Sequence, residues 1–515
     1  MIYPLTVQAE RLASKAAIVD DRPDGTVTTW TFAELNRRAN RLAHVFRELG
    51  LKAGERFVWC GPNSPGVVVG GYARAKVGAI SVPLNYRLTP EETAYIVDDA
   101  DAALVYADAE HAETFARIRA QIPRVRHIVI HGGTPPPGMV DGDALAAQAS
   151  DAEPPPVSAE HGGSMFYTSG TTGRPKGAVR PPLDPSAVLP LLKQIGFVED
   201  DVYITTGPLY HSGPAGFFQI AHLFGNTVVT QRRFDAEDWL RLVQTYRVSM
   251  TFSAPTPIRL VVNLPADVKA RYDRSSMKRM IANAAPWSFA LKEQYLADFP
   301  EDSLWEVYGS TELGVDTVLA PQDQRRKPGS CGRPAAGVEI RLFDEDGKEI
   351  VGAGVPGEVY VRSVNNFVSY HKAADKFEAS RREDFLSVGD IGYRDDEGFY
   401  YICDRKSDMI ISGGMNVYPA EIEAALERHP AVQEVAVFGI PSDEWGESVH
   451  AVVVPRTGQV IAVDELTGFA RAHLAGYKVP RSVSFAEELP KTGSGKILKR
   501  SLREPFWRGR RTRVS

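Results

Sequence analysis

The segment Ser164-Met165-Phe166-Tyr167-Thr168-Ser169-Gly170-Thr171-Thr172-Gly173-Arg174-Pro175-Lys176-Gly177 decides how the rest of the chain is read. It runs from apolar residues into glycines and hydroxyls and closes on a lysine. Glycine lets backbone N–H groups approach an anion, the four hydroxyls of Thr168, Ser169, Thr171 and Thr172 add donors and Lys176 adds charge, so the composition is that of a phosphate loop. It is not a G-x-x-x-x-G-K-[ST] loop, because Pro175 stands where the second glycine belongs and Gly177 where the final hydroxyl belongs.

Upstream, short apolar runs alternate with amphipathic segments. The spacing of Leu35, Ala39, Leu42, Val45, Phe46 and Leu49 predicts a helix over 31–49 stopped by Gly50, and 57–60, 79–82, 103–106 and 127–130 read as strands. That alternation predicts an α/β fold with largely parallel sheets. Two Pro- and Gly-rich stretches, 132–138 and 153–156, read as exposed connections. Beyond about residue 330 the pattern turns to alternation, with 338–343 and 357–361 as strands and Asp346-Gly347 as a turn, so a small antiparallel subdomain is expected. The last hundred or so residues predict a helix over 419–428, strands at 435–438 and 451–454 and a helix over 464–475, enough for a separate small α+β domain.

The chain has 515 residues, 43% hydrophobic and 24% charged, which suits a folded protein of several structural units. Its 59 basic and 65 acidic residues give a formal net charge of −6, so nothing in the whole-molecule charge attracts nucleic acid or an anionic membrane. An anionic ligand must be held by a few placed cations. Cys60, Cys331 and Cys403 lie far apart without metal or redox spacing, and neither a signal peptide nor a run of 18 apolar residues occurs, so a cytoplasmic protein with no integral membrane segment is expected.

The phosphate loop matches at every position the signature of the adenylate-forming superfamily: acyl-CoA synthetases, adenylation domains and luciferases. Further segments resemble that family's later motifs in the family's order: Pro208-Leu209-Tyr210-His211, Tyr308-Gly309-Ser310-Thr311-Glu312, Ser387-Val388-Gly389-Asp390, Asp404-Arg405-Lys406 and Pro490-Lys491-Thr492-Gly493-Ser494-Gly495-Lys496. The resemblance implies a large N-terminal domain, residues 1–406, and a small mobile C-terminal domain, residues 407–515. It implies an AMP-forming acyl-CoA synthetase. A carboxylate would attack the α-phosphorus of ATP and expel pyrophosphate, and the acyl group would then pass to CoA.

The same resemblance assigns residues. Thr168, Ser169, Gly170, Thr171, Thr172 and Lys176 would cradle the β- and γ-phosphates, Thr311 would donate to the α-phosphate, and Glu312 with Thr168 would bind Mg²⁺ through oxygen, which suits a hard cation. Ala284, Ala285, Pro286 and the backbone of Glu306, Val307 and Tyr308 would form the adenine slot, with Asp390 and Arg405 on the ribose. Lys496 would bridge the carboxylate and α-phosphate in the transition state, Ser407 would be the hinge, and His211 the gate between the acyl pocket and the pantetheine tunnel. Gly413 and Gly414 would line that tunnel, and Arg233, Tyr477 and Lys478 would meet the nucleotide end of CoA. Acyl-pocket walls are expected at His211, Phe217, Ser253, Ala284, Gly309 and Val315. Phe217, Asn283 and Trp287 add bulk that suits a medium-chain, aromatic or alicyclic acid. A homodimer is compatible with this reading. The competing functions are an adenylation enzyme loading a carrier protein, a non-catalytic adenylate sensor on the same fold, and a luciferase-like oxygenase.

Overall fold

The computed structural model describes residues 3–508 except 159, 169–174, 286, 407, 414, 443 and 492–496. Among these, two large sheets build the N-terminal part. One runs, in spatial order, Arg333–Pro334, Gly314–Leu319, Leu304–Ser310, Arg279–Ala282, Met250–Ser253, Val202–Thr205, Thr227–Thr230, Ala16–Asp21 and Val27–Thr31. The other runs Ser369–Tyr370, Lys176–Arg180, Ser164–Thr168, Ile80–Leu84, Arg56–Cys60, Ala102–Asp108, His127–His131 and Val140–Asp141. Their central strands pair in parallel and only the flanks are antiparallel. Parallel strands need cover on both faces, which is why they read as continuous apolar runs.

That cover comes in three layers. Helices Phe32–Glu48, Pro65–Val77 and Ser212–Leu223 lie between the sheets, in a core that joins Phe57, Trp59 and Tyr106 of one sheet to Tyr203, Met250 and Phe252 of the other. The first of these helices begins as expected: Thr31 and Glu34 form a reciprocal capping box that satisfies two otherwise orphaned N–H groups. Helices Ala236–Thr245, Pro255–Val262 and Phe289–Asp298 cover one outer face, and Pro90–Asp99 with Ala112–Ile118 the other.

The alternating segment after residue 330 forms an antiparallel sheet of Glu339–Phe343, Gly357–Arg362, Asp390–Arg394 and Tyr400–Arg405, with two short strands at Arg381–Arg382 and Phe385–Leu386. The C-terminal unit has its own core, in which helices Pro419–Leu426 and Val463–His473 pack on Val432–Ser442 and Gly446–Pro455. These two strands run well beyond the apolar stretches 435–438 and 451–454. Their ends are paired by the ladder, Pro441 against a buried but charged Glu447, so hydrophobicity does not mark them. Among the described residues no helix is long and apolar enough to cross a membrane.

Candidate functional site

The carboxyl ends of the parallel strands open into a cavity of about 2650 Å³ that reaches from the inter-sheet core to the C-terminal unit. Ligands bind at strand carboxyl ends in open α/β sheets because helix N-termini and loops converge there. Thr168 ends its strand in this cavity, and its hydroxyl donates to Glu312 Oε1 at 3.0 Å. The Tyr370 hydroxyl donates to the same oxygen at 3.2 Å. Glu312 is buried and so has one oxygen tied by two hydroxyls. Lys176 sits over the Tyr370 ring at 5.8 Å, and burial, with the neighbouring Lys376 ammonium, pulls it down to about 8. Of the two, Lys176 alone lines this cavity, whereas Lys376 faces it from a smaller pocket beside Asp99 and His371.

Thr311 is held at both ends. Its hydroxyl meets that of Ser212 at 2.7 Å, and its carbonyl accepts from Arg180, whose other Nη donates to the Asn365 carbonyl at 2.6 Å. The neighbouring Gly309 is required by a close approach: a Cβ there would stand 1.9 Å from the Gly314 carbonyl oxygen, across the tight hairpin that follows Tyr308.

Opposite, the Tyr308 hydroxyl donates to Asp390 Oδ2 at 2.6 Å, and Arg405 Nε stands 3.2 Å from Asp390 Oδ1. Each carboxylate oxygen therefore has one partner and an open lone pair. Arg405 is mostly desolvated, which works against its charge, yet the carboxylates of Asp390 and Glu312 more than offset this and raise it. Beneath the expected adenine slot, Glu306 pairs with the buried Lys292. Burial raises the Glu306 carboxyl and Lys292 opposes that rise.

Ala284 has φ +71°, a left-handed conformation uncommon outside glycine. Asn283 holds it there: its carboxamide oxygen accepts from the Ala284 N–H, and its Nδ2 donates to the Val307 carbonyl at 2.5 Å. The side chain expected to add bulk at the pocket floor is thus a strap between two strand ends.

His211 precedes helix Ser212–Leu223 and is buried in the cavity wall, with no hydrogen-bond partner for Nε2 among the described residues. Burial, assisted by Arg87, depresses it to about 4, so the ring is neutral at pH 7. Phe217 stacks on Phe252 at 5.0 Å and lines the cavity with Ala284, Gly309 and Val315.

Several expected residues sit elsewhere. Ser253 is fully buried and turns its hydroxyl to the Ala254 carbonyl at 2.9 Å, so it takes no part in the cavity wall. Gly413 lies off the wall, with φ +60° and the Trp445 ring 2.8 Å from where a Cβ would be. Tyr477 is also off the wall, while Lys478 lines it but gives its charge to Glu421 at 2.7 Å. Arg233 is exposed at the rim, 3.5 Å from Glu110. Ala285, Glu306, Val307 and Tyr308 all line the cavity. Ser169, Gly170, Thr171, Thr172, Pro286, Ser407, Gly414 and Lys496 lie outside the described residues.

The side chains beside Ser407 take different partners, although the Asp408 and Met409 N–H groups both bond back to the Arg405 carbonyl, at 2.9 and 3.0 Å. Lys406 bonds through its N–H to the Gly389 carbonyl at 2.8 Å and through Nζ to Glu358 at 3.1 Å, whereas Asp408 pairs with Arg503 of the last helix at 3.5 Å. Sequence reading missed Tyr370, Arg180, Ser212, Lys292 and the strap of Asn283. Only the motif context of Thr311 and Glu312 could have flagged their partners, which lie 58 to 131 residues away in the case of Tyr370, Arg180 and Ser212.

Lys176 and the hydroxyl-tied Glu312 on one side of the cavity, with Asp390 and Arg405 on the other, are the groups of a nucleotide-activating enzyme. The family model "AMP-binding enzyme" matches residues 5–371 and "AMP-binding enzyme C-terminal domain" matches 421–496, and the chain belongs to this family. It is 36% identical to a feruloyl-CoA synthase of Amycolatopsis sp over 93% of this chain and 94% of that protein. It is 33% identical to the fatty acid–[acyl-carrier-protein] ligase ScoC of Streptomyces coeruleorubidus, over 93% and 92% respectively. Among solved structures, the anthranilate CoA ligase AuaEII in complex with anthranoyl-AMP superposes with a TM-score of 0.88 at 27% identity, covering 98% of this chain and 96% of that one.

Proposed function

We infer that this chain is an acid–thiol ligase that activates a carboxylic acid with ATP and transfers it to CoA, and that the acid is aromatic, of the hydroxycinnamate type. The observation that carries the reading is the placing of two groups across one cavity. Glu312 with Thr168, Tyr370 and Lys176 stands on the phosphate side, Asp390 with Tyr308 and Arg405 on the sugar side, and the apolar arm walled by Phe217 and Val315 lies between.

In the first step a carboxylate oxygen bonds to the α-phosphorus as the bond to pyrophosphate breaks, so charge accumulates on three oxygen groups at once. Lys176 neutralises the leaving group, Thr311 donates to the α-phosphate and Asp390 fixes the ribose. Lys496 comes from the C-terminal unit to bridge the acid and the phosphate. Mg²⁺ bound with ATP would supply further charge neutralisation, and the oxygens of Glu312 and Thr168 suit it. One carboxylate, one hydroxyl and substrate phosphates are the donor set that octahedral Mg²⁺ accepts, and among the described residues no three His, Cys, Asp or Glu side chains gather as a cage.

In the second step the thiol sulfur bonds to the acyl carbon and AMP leaves with the electron pair. The neutral His211 ring, held by no bond at Nε2 among the described residues, turns aside to admit the thiol. Ser407 marks the hinge between domains 1–406 and 407–515, which fits the change of partners from Lys406 to Asp408. The likeness to feruloyl-CoA synthase and the Phe217–Phe252 stack favour a planar acid.

The test is a panel of ferulate, other hydroxycinnamates, benzoates, indoleacetate and fatty acids of increasing length, each with ATP, Mg²⁺ and CoA, read as AMP and CoA thioester. Ferulate or a close analogue is expected to give the highest kcat/KM. A fatty acid as best substrate would refute the acid class. AMP release with no CoA thioester would refute CoA as acceptor and favour a carrier protein.

A further inference from the structure

One ion-pair cluster joins the two units and touches none of the substrate-binding groups. Arg259 lies on helix Pro255–Val262 of the N-terminal domain, yet its partners are all in the C-terminal one. Its Nη1 donates to the Gln433 carbonyl at 2.9 Å and approaches Glu434 Oε1 at 3.4 Å, and its Nη2 stands 3.8 Å from Glu427. Glu434 is buried and shared: both of its oxygens also accept from Lys491 Nζ, at 2.7 and 2.8 Å.

Lys491 opens the segment that carries Lys496. It pairs in an antiparallel bridge with Ile497, and the Leu498 N–H donates to the Pro490 carbonyl at 2.8 Å, so both ends of the segment are fixed. Lys491, Ile497 and Leu498 all line the cavity, whereas Gly413, on another face of the C-terminal unit, does not. The face of the C-terminal unit that bears Lys491, Ile497 and Leu498 is thus turned toward the cavity, and the contacts of Arg259 hold that orientation.

We propose that Arg259 is a positioning residue for adenylate formation, docking the C-terminal unit through Glu434 so that Lys491 presents the Lys496 segment to the cavity, and that undocking of this cluster accompanies the passage to thioester formation. The proposal rests on the reading of Lys496 and the hinge given above. Its logic is a population shift: an ion pair made in only one of two orientations favours that orientation by its differential strength and does nothing for the other. A partly buried arginine facing two carboxylates across the domain junction is such a contact.

The experiment measures the two half-reactions separately on the full chain, using ferulate or the best acid of the panel. Pyrophosphate exchange reads the first, and thioester formation from a supplied acyl-adenylate with CoA reads the second. Arg259→Ala is expected to lower exchange about tenfold, equivalent to about 1.4 kcal/mol, while leaving thioester formation within about twofold. Arg259→Lys should restore most of the exchange, and raising the salt should bring wild type toward Arg259→Ala. Equal loss in both half-reactions, or no loss in exchange, would overturn the proposal. Lys496→Ala is run in parallel: if it leaves exchange intact the reading of Lys496 falls and this inference with it, whereas loss in Lys496→Ala without loss in Arg259→Ala refutes the inference alone. A melting temperature for Arg259→Ala equal to wild type excludes misfolding as the cause.

Discussion

Asp390 offers the sharpest quantitative test. Oδ2 accepts from the Tyr308 hydroxyl at 2.6 Å and Oδ1 forms an ion pair with Arg405 at 3.2 Å, which leaves lone pairs on each for the two ribose hydroxyls. Asp390→Asn preserves size and shape but converts one oxygen into a donor. The amide oxygen must face Arg405, which cannot accept, so the NH₂ faces Tyr308, whose hydroxyl can rotate to accept. One ribose hydroxyl then meets a donor instead of a carboxylate oxygen. A hydrogen bond to a charged group contributes about 1.5–3 kcal/mol, so KM for ATP should rise roughly 10- to 100-fold, with a smaller fall in kcat. Tyr308→Phe removes a bond to the same carboxylate but none to ATP, so its effect on KM is indirect and should be smaller than that of Asp390→Asn. The double variant should cost less than the sum, because Tyr308 has already lost its role as donor once Asn is present. Pyrophosphate exchange against ATP concentration, with AMP binding by calorimetry as a check free of chemistry, gives these numbers. An Asp390→Asn enzyme with KM for ATP and AMP affinity both within about twofold of wild type would refute the ribose assignment.

Other outcomes follow from the packing. His222 is buried, with Nδ1 accepting from the Tyr72 hydroxyl at 2.6 Å and Nε2 donating to the Ala17 carbonyl at 2.8 Å, an arrangement that suits only the neutral ring, and burial depresses it to about 4. The unfolded chain therefore takes up more protons between pH 6.5 and 4. The stability from the neutral ring is fully present above about pH 6.5 and falls by up to about 3 kcal/mol as pH drops to 4, so His222→Gln should show a shallower loss of melting temperature over that window. Ala284→Gly should stabilise the protein by about 1 kcal/mol by releasing the strain of φ +71°, read as a higher melting temperature with activity retained. Phe217→Leu should open the acyl arm and raise relative kcat/KM for bulkier acids in the panel, at about 1 kcal/mol of stability from the lost stack on Phe252.

The sequence showed those parts of the fold and site whose cause is local. The helix Phe32–Glu48 was visible because its buried residues recur at spacings of three and four and its cap lies within one turn. Thr311, Glu312, Asp390 and Arg405, which the structure brings to one cavity, could be picked out as candidates because short motifs hold them. Contacts made across long separations carried no such mark. Tyr370 reaches Glu312 from another sheet, Lys292 meets Glu306 from an outer helix, and Arg259 finds its partners 168 to 175 residues away. Ser253 misled because the resemblance placed it on the pocket wall, whereas it ends a strand buried along its whole length and bonds the Ala254 carbonyl instead. Asn283 was read as bulk because nothing in the sequence shows that the next residue has a positive φ.

The size and continuity of the cavity have a further consequence. At about 2650 Å³ it exceeds what one ligand needs, and the phosphate side, the apolar arm and the C-terminal face share it without a partition. With no wall to sort the reactants, order has to be kept in time: what occupies one arm decides what the next arm can receive. The same openness invites a tethered inhibitor. A stable molecule that joins an acyl chain to adenosine would meet no barrier between its two halves, and binding of either half would raise the effective concentration of the other.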